Sequence, residues 1–73
     1  MRQPDPRIIF GKRVREIRLR HGLSQEKLAE FADLHRNYVG GVERGERNIS
    51  LLNIVKLARG LSVRPTKLIE TIR

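Results

Sequence analysis

Gly22-Leu23-Ser24-Gln25-Glu26-Lys27-Leu28-Ala29-Glu30-Phe31-Ala32-Asp33-Leu34-His35-Arg36-Asn37-Tyr38-Val39-Gly40-Gly41-Val42-Glu43-Arg44-Gly45 is the stretch on which the fold turns. Ser24 can accept a hydrogen bond from the free N–H groups of a starting helix. Lys27 stands where a reciprocal cap would need Glu or Gln, so Ser24 caps alone. Leu28, Ala29 and Ala32 then form one inner face. Asp33 tolerates a left-handed conformation and ends this helix near Ala32–Asp33. Leu34 restarts an apolar series through Val39 and Val42, and Gly45 terminates it. Two short helices joined by a tight turn therefore span residues 25–44, with small Ala29 allowing their close approach. Such a pair can brace its first rod on a DNA backbone while its second enters the major groove.

Outward from this pair, the same punctuation gives three more helices. Asp5 caps a first helix with Pro6 in its opening turn, and Phe10, Val14 and Ile17 recur at helical steps as far as Arg20. Gly22 ends it. Asn48 or Ser50 caps a fourth helix whose core face is Leu51, Ile54, Leu57, Ala58 and Leu61, with Gly60 near its end. Arg64–Pro65 opens a short fifth helix through Leu68 and Ile72. Strand-like alternation, internal repeats and linkers are absent from the sequence. The expected fold is all-α, a compact five-helix domain over residues 6–73 with a central helix-turn-helix at about 25–44, preceded by a flexible arm at residues 1–5.

The 73 residues allow one domain. Zero cysteines exclude a disulfide scaffold, a thiolate zinc site and a cysteine nucleophile. The longest apolar run, Ile8-Ile9-Phe10, is far short of the ~18 residues of a membrane span. Sixteen basic against eight acidic residues give a formal charge of +8, which asks for a polyanionic partner. That charge is uneven. Seven basic and two acidic residues give segment 1–22 net +5, three and four give segment 23–45 net −1, and six and two give segment 46–73 net +4. The helix pair itself is not a basic patch; cations such as Arg13, Arg15 and Arg20 flank it, either as phosphate ligands or as a solvated face.

Gly22-Leu23-Ser24-Gln25, Leu28-Ala29, Tyr38-Val39, Val42-Glu43-Arg44-Gly45 and Ser50-Leu51, taken together, resemble the helix-turn-helix regulators of the phage-repressor and Cro type, the Xre family. The likeness runs from about Phe10 to Leu68. The stretch from Asn37 through Asn53, with the short length, is most similar to the controller proteins of restriction–modification systems. The resemblance implies a five-helix repressor fold, sequence-specific binding of double-stranded DNA, and a homodimer on a near-palindromic operator. It also implies that Arg18 pairs with Glu43, which would hold a carboxylate of the recognition helix away from phosphate.

The residues expected at DNA follow from their chemistry at these positions. Ser24 and Gln25 open the second helix, where free N–H groups and the helix dipole favour a phosphate. Gln25 can also reach a base edge or fix a recognition side chain. Arg36 offers a fork for guanine O6 and N7, and Asn37 can pair with adenine N6 and N7. His35 is a helix cap or a further contact. Tyr38 can donate its hydroxyl to a phosphate or pack half-buried. Arg44 reaches a base or a phosphate, and Arg47 in the following loop suits the backbone. Gly40 and Gly41 depart from much of the family and cost ~2 kcal/mol of helix propensity. Close approach of backbone to DNA, with room for thymine methyls or for Arg36 and Arg44, would offset that; a frayed helix end is the bland alternative.

On a helical wheel, Ile49 and Leu52 fall outside the core arc of the fourth helix and Val55 lies at its border. With Ile69 and Ile72 they form the expected self-complementary dimer patch, against a crowded core edge. Phe31 is ambiguous in the same way. The expected function is a cytoplasmic, nucleoid-associated transcription regulator, activator or repressor, whose own concentration is the input. RNA polymerase is a further candidate partner. No cofactor, metal, small-molecule ligand or membrane partner is expected. Alternatives are an antitoxin or operon autoregulator, and a protein-interaction module bridging partners on the same fold. An enzyme is disfavoured, since His21 and His35 are the sole histidines and no paired carboxylates face a nucleophile.

Overall fold

A computed structural model describes residues 4–73, which form five helices and no strand. Helix α1 spans Pro6–Arg20, α2 Gln25–Ala32, α3 Arg36–Glu43, α4 Leu51–Gly60 and α5 Pro65–Ile69. Most of the arm expected at residues 1–5 lies outside the described residues. Asp5 is already the cap of α1: its side chain accepts from Arg7 N at 2.9 Å and from the Arg7 guanidinium. Those bonds from Arg7 hold the Asp5 carboxyl below the ordinary aspartate range.

Caps and turns sit where side-chain chemistry demands. Ser24 accepts from Lys27 N at 3.0 Å and Ser50 from Asn53 N at 3.1 Å, so Ser50 rather than Asn48 starts α4. Asp33 adopts φ 56° and ψ 49°, a left-handed stop to α2. Gly45, at φ +78°, leaves α3 with Ile8 packed so closely that a Cβ would lie 2.7 Å from its Cγ1.

Each helix buries one stripe. Phe10, Gly11, Val14, Ile17 and Arg18 line the inner face of α1. They meet Leu28, Ala29 and Ala32 of α2, Val39 and Val42 of α3, Leu57, Ala58 and Leu61 around α4, and Leu68 of α5 in one core. Helix α2 packs on α3 and α4, while α1 crosses α3 and α5. Gly11 permits the approach of α1 to α3: a Cβ there would collide with the backbone oxygen of Val42 and lie 2.8 Å from that of Glu43.

Three expectations need correction. Leu51 is not on the core face; it is 77% exposed. It shares an arc with Ala58 but is the first residue of α4, beyond the reach of the other helices, so packing begins a turn later at half-buried Ile54. Helix α5 stops at Ile69 instead of reaching Ile72, which follows in a turn and still packs against the core. Arg13 is no free cation either. Its Nε donates to Lys67 O at 2.8 Å and its Nη2 to Glu70 at 2.7 Å, pinning α5 to α1.

Candidate nucleic-acid interface

Helices α2 and α3 meet across a turn closed by Leu34 N donating to Ala29 O at 2.9 Å. The amino end of α3 is capped by His35, whose Nδ1 accepts from Asn37 N at 3.0 Å. The bond uses one of the two ring nitrogens of His35, which is exposed. Arg36, Asn37 and Arg44 all project from α3 or its end and are exposed.

The acidic residue of α3 faces the other way. Arg18 Nε donates to Glu43 Oε2 at 2.6 Å and Nη2 to Oε1 at 3.0 Å, with side chains 8% and 3% exposed. Arg18 Nη1 also donates to Leu23 O at 2.7 Å, and Gln25 Nε2 to Glu43 Oε1 at 3.0 Å. The Arg18–Glu43 pair thus ties α1, the turn before α2, the start of α2 and the end of α3 together. Fork-to-carboxylate bonds of this kind combine strength with fixed geometry. They orient α3 and withdraw its negative charge from the exposed face.

The two glycines of α3 are helical and buried, so the helix is not frayed there. Each lies beneath an arginine. A Cβ on Gly40 would stand 3.1 Å from Arg44 Nη1 and 3.5 Å from Gln25 Oε1. A Cβ on Gly41 would stand 2.9 Å from Arg47 Nε and 3.2 Å from its Cγ. The guanidinium of Arg47 also lies 5.4 Å over the half-buried ring of Tyr38, a cation–π geometry. The Tyr38 hydroxyl accepts from Asn53 Nδ2 at 3.0 Å, which leaves its own proton available. Gln25, Arg36, Asn37, Gly40 and Arg44 surround an open cleft of about 240 Å³. Ser24 is exposed at the start of α2 on the Gln25 side.

Sequence reasoning did not single out Gly11 or Asn53. Gly11 was findable as a glycine on the apolar stripe beside Phe10 and Val14. Asn53 carried no such signal, because its partner Tyr38 lies 15 positions away.

Of the residues expected in a dimer patch, Leu52 (62% exposed) and Ile69 are exposed. Val55 is half-buried, and Ile49 and Ile72 are half-buried against the core. No helix among the described residues is long and apolar enough to cross a membrane.

A family described as Helix-turn-helix matches residues 14–68. Control protein C.BamHI of Bacillus amyloliquefaciens is 51% identical over 65 residues, 88% of this chain and 80% of that protein. Control protein C.SmaI of Serratia marcescens is 45% identical over 65 residues, 89% of this chain and 77% of that one. The crystal structure of the restriction-modification controller protein C.AhdI from Aeromonas hydrophila superposes with a TM-score of 0.84 at 56% identity, covering 85% of this chain and 94% of that one. With its two short helices, its buried Arg18–Glu43 tie and its exposed basic α3 face, the chain belongs to the helix-turn-helix family of DNA-binding transcription regulators and resembles within it the controller proteins of restriction–modification systems.

Proposed function

We propose that this protein binds a near-palindromic operator as a homodimer and controls a restriction–modification operon by occupancy. The observation that carries the reading is the split of charge on α3: Arg36 and Arg44 face outward while Glu43 is buried under Arg18. Arg36 takes a guanine edge, and Asn37 an adenine edge beside it. The amino ends of α2 and α3, with Ser24 and His35, take phosphates. Tyr38 donates its hydroxyl to the backbone, and Arg47, seated on Gly41 and the Tyr38 ring, reaches a neighbouring phosphate. The protein acts in the cytoplasm at DNA by binding rather than catalysis. At one occupancy it can recruit RNA polymerase, and at higher occupancy exclude it.

Dimerisation uses exposed Leu52 and Ile69, with Val55 and the edges of Ile49 and Ile72; Leu51 enlarges the patch. A two-fold axis there sets the recognition helices about 34 Å apart, one turn of DNA. The test is Arg36→Ala in operator titrations. A loss of roughly 5- to 150-fold in specific affinity, with unchanged affinity for random duplex and unchanged melting, is expected. Equal loss on both duplexes would reduce Arg36 to a phosphate contact.

A further inference from the structure

The amide of Gln25 has one orientation open to it. The oxygens of Glu43 accept and, paired with Arg18, have nothing to donate. The side of Gln25 that meets Glu43 Oε1 at 3.0 Å is therefore the nitrogen. Its oxygen is thereby fixed on the opposite side, 3.5 Å from where a Cβ of Gly40 would stand. Arg44 Nη1 lies 3.1 Å from that same point. Arg44 Nε is engaged by Glu46 Oε2 at 3.1 Å, so its terminal fork is what remains for a ligand in the cleft.

The cleft thus offers two guanidinium donors beside one fixed acceptor. Across the major groove, a G·C pair offers two acceptors, guanine N7 and O6, beside one donor, the cytosine amino group. An A·T pair runs acceptor, donor, acceptor, which no pair of adjacent donors can match. A phosphate offers acceptors alone and would leave the Gln25 oxygen facing a like dipole.

From this we infer that Gln25 determines specificity: its Oε1 accepts from the N4 amino group of a cytosine whose guanine partner is held by Arg44, with Gly40 as the gap that admits the pair. The inference rests on the DNA-reading function above and assigns one base pair within it.

The test uses the intact protein and a duplex selected from a random pool. Each cytosine of a half-site is replaced in turn by 2-pyrimidinone, which lacks the 4-amino group. At one cytosine, wild-type affinity should fall roughly 5- to 10-fold, the worth of one hydrogen bond. The same replacement should leave Gln25→Ala unaffected. Gly40→Ala leaves the Glu43 network in place and displaces the flexible end of Arg44; it should lose the same sensitivity while melting no lower than wild type. Equal losses for wild type and Gln25→Ala at every cytosine, on a duplex still preferred over random DNA, overturn the inference alone. Absence of any preferred duplex overturns the underlying reading as well.

Discussion

Removing either member of the Arg18–Glu43 pair leaves the other charge buried with too few partners. Arg18→Ala should cost about 3–5 kcal/mol in urea unfolding, much of the stability of so small a domain. Arg18→Met with Glu43→Leu should recover most of that loss, because no buried charge remains. The double variant should still bind DNA less selectively, since Gln25 then lacks the carboxylate that orients its amide. At this scale the sequence was partly legible. The Arg18–Glu43 pairing follows from family resemblance, but two residues 25 positions apart carry no local sign of contact. The seats of Arg44 and Arg47 on Gly40 and Gly41 were less so: the paired glycines suggested room for DNA or for Arg36 and Arg44, and Arg44 does lie over Gly40, but nothing local pointed to Arg47 over Gly41.

Helices here are set by their ends and by the spaces between them. Gly11→Ala raises helix propensity by up to ~1 kcal/mol, yet it drives a methyl into the backbone of α3. A net loss of about 1–3 kcal/mol is expected in thermal or urea unfolding, because backbone cannot step aside as a side chain can. Ser24→Ala should cost about 1 kcal/mol through the lost cap to Lys27 N. The cap of α1 adds a pH dependence. The folded Asp5 carboxyl titrates lower than in the unfolded chain, so its contribution is fully present above about pH 4 and fades as pH falls through the lowered value. NMR titration of Asp5 beside the amide of Arg7 reads it directly. Element boundaries were largely legible, since Asp5, Ser24, Asp33, Gly45 and Ser50 each have a local physical role. Leu51 was not: helical phase gives a residue its arc, and only the neighbouring helices decide whether that part of the arc is covered.

Over the whole molecule, the unresolved physical quantity in a sequence is what covers its apolar surface. Ile49, Leu52, Val55, Ile69 and Ile72 are chemically alike, yet Ile49 and Ile72 pack against the core while Leu52 stands open. Leu52→Asp should shift sedimentation from dimer to monomer at micromolar protein and leave the far-UV spectrum and melting of the monomer unchanged. The formal charge of +8 adds a second molecular property. The logarithm of operator affinity should fall linearly with log salt concentration, with a slope near one per phosphate contacted, and Arg47→Ala should flatten it by about one. The most direct test of DNA reading by α3 is a competition titration at about 0.15 M salt, comparing a pool-selected duplex with random duplex of equal length. A preference of at least ~10³-fold, carried by a two-fold symmetric sequence, is the expected result; equal affinity for the two duplexes would contradict it.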